Sequence, residues 1–337
     1  MKITKKLRYI IIFIALSTIS AAVIAITHKK TQTLRQQKRE ENYKVVKMTG
    51  GLGNQMFQYA FGLALAEESN CEVYYDLSFY EDEEQLNRPT VEEMAKNEKL
   101  CDIISARREY CLKYFNVNCK VADSERIKNC TSQIDENFVR EKGISNFNNG
   151  QHEYIYDCFE TIDLFDYEKY RDVFTRKFTL TVPMDQKNKD MLNKIKTVNS
   201  VAIHIRRTDH GDILGYSNMK YYDRAVKHIV AKVENPHFFI FSDDMDWVKE
   251  NFGLNIPDIL NNPYTFVDIN DDATNYYDFE QIRNCKHQIL ANSTFSWWAT
   301  WLNPNEDKIV TAPTPWLKNG DTRDKMMPKD WIRIQEN

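Results

Sequence analysis

The chain predicts an α/β fold on parallel sheets, and two stretches carry that expectation. Between Lys44 and Leu77 a strand, a glycine-rich turn, an apolar-striped helix and a second strand follow in order. This is a β-loop-α-β unit, whose two strands run parallel. From Ser200 to Thr311 short apolar runs alternate with helical segments, the pattern of a doubly wound nucleotide-binding domain. At 337 residues the chain has room for two domains of roughly 100–200 residues each. Its formal net charge of -4 gives no reason to expect a nucleic-acid partner.

Residues 9–27 carry no charged side chain, a run that fits a bilayer span of about 20 residues. The run is longer than the ~7–15-residue apolar core of a cleaved signal peptide. The expected layout is a tail over 1–8, a transmembrane signal anchor over 9–27 and a polar stem over 28–42. Small residues from Ala21 to Ala25 keep cleavage open as the rival. Basic residues flank both sides of the run, so charge bias does not set its orientation.

The folded part is expected from Tyr43. Lys44–Met48 reads as a strand, Thr49–Gln55 as the turn after it, and Met56–Glu68 as a helix with Met56, Phe57, Ala60, Phe61 and Ala64 on one face. Cys71–Leu77 reads as the second strand. Gly51-x-Gly53-x-x-Met56 lacks the third glycine of a dinucleotide fingerprint, which argues against hydride transfer. The loop can still bring backbone amides close to an anion or a sugar. Residues 80–160 hold an acidic run and most of the cysteines, and read as a helical and loop insertion. Residues 160–198 read as helical and lead into the second domain, 199–337.

In that second domain, Val201, Ala202, Ile203 and Ile205 form a buried strand that ends in Arg206 and Arg207. Strand alternation sends the two arginines to opposite sides. One can meet a ligand at the strand's carboxyl end, while the other pairs with Asp209 or a neighbouring element. His204 faces the same side as Arg206. Further strands are expected at 237–241, ending in Ser242-Asp243-Asp244, and at 287–291, running into Asn292-Ser293-Thr294 and an apolar helix over 295–302. Asn292, Ser293 and Thr294 open a helix, an arrangement that caps it or binds phosphate. Asp243 can accept from a base or ribose, or simply close a turn. Trp297, Trp298 and His287 are expected in the core. Asp243 and Asp244 are adjacent, unlike an Asp-x-Asp metal clasp, so no metal is expected.

Seven cysteines are present, five of them between 101 and 158, with no CxxC pair. They allow a disulfide-stapled region in an oxidising lumen with at least one thiol left over. The sequon Asn129-Cys130-Thr131 agrees with such a compartment and makes Asn129 a candidate glycosylation site.

Taken together, Gly50-Gly-Leu-Gly-Asn-Gln-Met-Phe-Gln-Tyr59, His204-Ile-Arg-Arg-Thr-Asp209, Phe241-Ser-Asp-Asp244 and Asn292-Ser-Thr-Phe-Ser-Trp-Trp298 resemble the motifs of the α-1,2-fucosyltransferases, glycosyltransferase family 11. Lys308-Ile-Val-Thr-Ala-Pro313 also fits. The resemblance covers roughly 44–318. It implies a GT-B-like fold, two Rossmann-like domains with a cleft between them, and an inverting, metal-independent transfer from GDP-β-L-fucose to O2 of a terminal galactose on a glycan. By carry-over, Arg206 would bind the diphosphate, with His204 and Asp209 shaping its loop. Asn292, Ser293 and Thr294 would bind phosphate, and Asp243 guanine or ribose. Gly51, Gly53, Asn54 and Gln55 would lie across the cleft near fucose and acceptor, and Asn292 would not carry a glycan. Thr208 departs from the glycine of many members, as does Ala299-Thr300 from their small pair.

The general base is not identified; Asp209, beside two arginines, fits a structural partner better. The resemblance also implies a type II, single-pass Golgi enzyme with a lumenal catalytic domain, the bacterial inner membrane being the alternative. Rival functions are fucosylation at another linkage, a catalytically inactive glycan- or GDP-binding protein and, more remotely, a nucleotide-sugar oxidoreductase.

Overall fold

The computed structural model describes residues 23–34, 42–97, 105–147, 149–157, 161–208, 218–317 and 319–335. Most of the expected membrane anchor, Cys101, Cys158 and Asp209 lie outside the described residues. Residues 23–34 form one helix, so the first part of the expected stem is helical. Among the described residues no helix is long and apolar enough to cross a membrane.

Two parallel sheets build the rest. The first comprises β1 (Tyr43–Lys47), β2 (Glu72–Asp76), β3 (Ser132–Ile134) and β4 (Glu153–Ile155), in the order β2-β1-β4-β3. Helix α1 (Leu52–Glu68) joins β1 to β2. It begins at Leu52, so Gly53, Asn54 and Gln55 sit in its first turn and not in a loop, a correction to the expected turn. Strands β3 and β4 correct the reading of 80–160 as helix and loop alone. Their hydrophobic pattern is broken because Glu153 is buried against Lys44 of β1, at 3.0 Å. The Lys44 ammonium also donates to Asn42 Oδ1 (2.9 Å) and to the Gln151 carbonyl (2.6 Å).

The second sheet comprises β5 (Asn199–Ile205), β6 (Pro236–Ser242), β7 (Tyr264–Phe266), β8 (His287–Ile289), β9 (Val310–Thr314) and β10 (Ile332–Gln335), the last not expected from sequence. Their order is β10-β9-β8-β5-β6-β7. Counted from β5, this is the 3-2-1-4-5-6 order of a dinucleotide-type Rossmann sheet, in which ligands bind where the order reverses. Here the reversal falls between β5 and β8. Helix α2 (Gln186–Thr197) leads into β5, and its Asn188 and Lys194 bond to Asn270 and Thr265 of the second unit. Helices α3 (Met219–Val230), α4 (Met245–Asn255), α5 (Tyr276–Asn284) and α6 (Thr294–Trp301) complete the winding.

Period-two alternation sorts the faces of β5. Val201, Ile203 and Ile205 pack with Tyr222, Val226 and Val248 of α3 and α4 on one side. Ala202 joins Phe57 of α1 and Trp297 and Trp298 of α6 in a core shared by both units. Phe57 lies 5.1 Å, ring to ring, from each tryptophan. The face of β5 that bears His204 is therefore the face turned toward the first unit. Trp297 and Trp298 are core residues, as expected, and His287 accepts from the Ile309 amide at 3.0 Å.

The expected disulfide staple is not formed by the described cysteines. Among the described residues, Cys71, Cys111, Cys119, Cys130 and Cys285 form no disulfide with one another. Local carbonyls take up several of them: Cys71 faces Leu65 O, Cys111 Glu109 O and Cys130 Arg126 O.

Candidate active site

Four chain segments converge at the carboxyl ends of the strands. From the second unit come the segment after β5 (206–208), the turn after β6 (243–244) and the entry to α6 (292–295). From the first unit comes the start of α1. The approach is close. A Cβ on Gly53 would stand 2.4 Å from Phe295 N and 2.5 Å from the Thr294 carbonyl carbon, so only glycine lets the two helix starts meet. Beside it, the Thr294 hydroxyl donates to Asn54 Oδ1 at 2.8 Å. The caps of α1 and α6, Gly51 and Ser293, make no side-chain capping bond, and neither first turn holds an acidic residue. Both helices thus direct the positive ends of their dipoles into the seam with no acidic side chain in either first turn.

The arginine pair divides as strand geometry requires. Arg207 turns to the second unit's own side: Nε meets Asp244 Oδ2 at 3.2 Å and the guanidinium lies 3.5 Å over the Trp247 ring. Arg206 keeps to the His204 side, with Nε 3.1 Å from Asp243 Oδ2. Asp243, expected to accept from a base or ribose, stands in the turn after β6. Its carboxylate accepts from the Arg207 amide (2.8 Å), the Thr208 amide (3.0 Å) and the Thr208 hydroxyl, and pairs with Arg206. Asp243 therefore folds the arginine segment into shape. Thr208 contributes a hydroxyl to that clasp that a glycine would lack. Asp244 caps α4 through the Trp247 amide (3.2 Å), and burial raises its carboxyl above the usual range.

Gln55 is likewise taken up inside the protein. Its amide donates to Gly50 O (3.0 Å) and Glu109 O (2.7 Å), and its oxygen accepts from the Cys111 (2.8 Å) and Leu112 (3.2 Å) amides. It pins the segment 109–112 to α1. Asn292 is buried, with its amide 3.3 Å from Trp316 O, and has no room for a glycan. Asn129 is exposed at the end of the helix Ser124–Lys128. Two residues that sequence reasoning passed over also reach the seam. Arg108 lies beside Gly51 and pairs with Asp272 of the second unit at 3.4 Å. The Arg107-Arg108 doublet, echoing Arg206-Arg207, was the available signal.

His204 is buried beside Phe295, with ring centroids 5.6 Å apart. Its backbone carbonyl accepts the Tyr222 hydroxyl at 2.9 Å. Burial lowers its pKa to about 4; Asp243 opposes this and Arg206 adds to it. The imidazole is therefore neutral at physiological pH. Because the folded pKa lies below the ordinary value of about 6.5, the unfolded chain takes up a proton that the folded chain refuses. This share of stability is complete above pH ~6.5 and is lost as pH falls toward about 4. The thermal midpoint should accordingly fall more between pH 7.5 and 5 in the wild type than in His204→Gln. Parallel curves for the two proteins would refute the assignment.

A family model described as Glycosyl transferase family 11 matches residues 9–335. The chain belongs to that family. An Escherichia coli Alpha-1,2-colitosyltransferase is 29% identical over 303 residues, covering 87% of this chain and 99% of the relative. The human Galactoside alpha-(1,2)-fucosyltransferase 1 is 26% identical over 145 residues, 39% of this chain and 38% of that protein. Among solved structures, NodZ alpha-1,6-fucosyltransferase co-crystallized with GDP aligns over 79% of this chain and 93% of its own, with a TM-score of 0.48 and 12% identity. This family 11 chain is thus a glycosyltransferase in which Arg206, Asp243, the start of α1 and the entry to α6 lie at the carboxyl ends of the strands of its second sheet. Among the described residues no group of three or more His, Cys, Asp or Glu side chains is placed to hold a metal ion.

Proposed function

We propose that this glycosyltransferase transfers L-fucose from GDP-β-L-fucose, with inversion and without a metal ion, to O2 of a terminal galactose on a glycan. The observation that carries the reading is the cationic seam. Arg206 and the uncapped first turns of α1 and α6 come together at the point where the strand order reverses. A diphosphate leaving group gains negative charge as the sugar bond breaks, and positive groups fixed in advance favour that transition state over the ground state.

Asp243 and Asp244 are both engaged with arginines and amides. That leaves Arg206 and the helix starts to carry the phosphate charge, which supports a metal-independent reaction. Within the reading, Ser293 and Thr294 offer first-turn donors to phosphate, and Gly51, Gly53 and Asn54 form the opposite wall toward fucose and acceptor. Neutral His204 offers a hydrogen bond without adding charge. Asp209 remains a candidate for completing the arginine segment.

A second donor is favoured by one observation. The E. coli relative aligned over 99% of its length is a colitosyltransferase, and colitose is L-fucose without its 3-hydroxyl. The α-1,2 linkage appears in the names of both that relative and the human one. The test presents GDP-fucose and GDP-colitose, in EDTA, to the full chain with lactose and a panel of galactose-terminated glycans, followed by linkage analysis. A 2-O-linked fucosyl product supports the proposal. Faster transfer from GDP-colitose moves the donor assignment, and transfer from neither donor overturns it. Anchoring through residues 9–27, in a Golgi or a bacterial inner membrane, belongs to the same proposal; membrane fractionation together with glycan release at Asn129 separates the two compartments.

A further inference from the structure

Arg108 lies on the far unit from Arg206, in a backbone segment fixed by the chain around it. Its backbone is tied on three sides. The Gln85 side chain donates to Arg108 O, the Arg107 amide donates to Pro89 O at 2.8 Å, and Gln55 binds the next carbonyl, Glu109 O, at 2.7 Å. Its side chain crosses the cap of α1, with Cδ, Nε and Cζ 3.8–3.9 Å from where a Gly51 Cβ would stand. That is an unfavourable place for a cation, since the amino end of a helix carries partial positive charge. An anion must offset it, and the anion comes from across the seam. Asp272 Oδ1 lies 3.4 Å from Arg108 Nη1 and also accepts from Asn275 at 3.0 Å, while the Asp272 amide donates to Glu92 at 2.9 Å.

The same carboxylate feels both arginines. Burial raises the pKa of Asp272, and Arg108 and then Arg206 pull it back down, with Glu92 opposing them. Arg108 thus reaches a carboxylate of the second unit at 3.4 Å, beside two helix starts that have no side-chain caps.

We infer that Arg108 is a second phosphate ligand, supplied by the first unit to the donor's diphosphate, and that Asp272 is the counter-ion it leaves when the donor arrives. The inference rests on the donor reading above and adds the residue that makes the first unit a partner in binding the leaving group. The diphosphate then becomes the charge that both units share.

The test measures GDP and guanosine binding by calorimetry to the full chain, in EDTA, for wild type, Arg108→Ala, Arg108→Lys, Asp272→Asn and Arg206→Ala. Loss of one charge-assisted contact weakens binding by about 10- to 100-fold. Arg108→Ala should lose that much for GDP and little for guanosine, with Arg108→Lys between it and the wild type. Asp272→Asn, which removes the competing carboxylate, should bind GDP at least as tightly as the wild type. If Arg108 and Asp272 form only a structural latch, both variants weaken GDP and guanosine alike, and the inference falls. It also falls if Arg108→Ala binds GDP as the wild type does while Arg206→Ala does not. If Arg206→Ala too leaves GDP binding intact, the donor reading itself has failed. Should Arg108→Ala not fold, Arg108→Lys and Asp272→Asn still decide: equal GDP losses in the two refute the inference.

Discussion

Arg206→Ala should lower kcat/KM for fucosyl transfer by about 10²–10³-fold, the loss seen when one preorganised donor to developing negative charge is removed. The argument depends on the arginine segment surviving the change. Asp243 keeps three other donors, the Arg207 and Thr208 amides and the Thr208 hydroxyl, and Arg207 stays clasped by Asp244 and Trp247. The thermal midpoint should therefore move little while activity collapses. Arg206→Lys keeps a charge but loses the planar fork that matches a phosphate, so it should fall between the two. Activity within a few-fold of wild type in a folded Arg206→Ala protein would remove the group on which the proposed mechanism depends.

Gly53→Ala should have the other large effect, and its origin is steric. The added methyl would fall 2.4–2.5 Å from backbone atoms of Phe295 and Thr294, which cannot swing aside as a side-chain tip can. Overpacking costs about 1–3 kcal/mol even inside cores that can adjust. Here relief requires α1 and α6 to part, which breaks the Thr294–Asn54 bond and separates the two helix starts. A midpoint drop of several degrees, together with loss of GDP binding, is expected from calorimetry and thermal melts. Gly62→Ala is the control. It lies in the same helix but meets the Tyr75 hydroxyl at 2.3 Å, inside the first unit. That variant should lose stability while GDP affinity is retained in the folded fraction. Equal losses of GDP affinity in both would show that the seam at Gly53 has no special part in binding.

The legible parts of this sequence are those in which local pattern and tertiary role agree. Val201 to Ile205 read as a strand because both of its faces are buried, and His204 and Arg206 followed from alternation alone. The short strands β3 and β4 were not legible. They are three residues long, and where an apolar residue would have announced β4 the structure places Glu153 against Lys44, more than a hundred residues away in the chain. Motif residues were easier to find than their partners. Gln55 and Asp243 read as ligand contacts because they stand at glycine turns and strand ends. Nothing local shows that Gln55 binds the chain at 109–112, or that Asp243 gathers the amides of 207 and 208. Arg108 was hidden for the opposite reason: its partner Asp272 is 164 residues further along and on the other unit.

The central claim is that the seam between the two units is a diphosphate site that works through arginine and helix starts. Calorimetric titration of the full-length wild type with GDP and with guanosine, both in EDTA, tests it most directly. The account predicts that GDP binds without metal and about 100-fold or more tighter than guanosine, the preference expected when at least two charge-assisted contacts reach the phosphates. Equal affinity for the two, or GDP binding that appears only when a divalent cation is added, would contradict it.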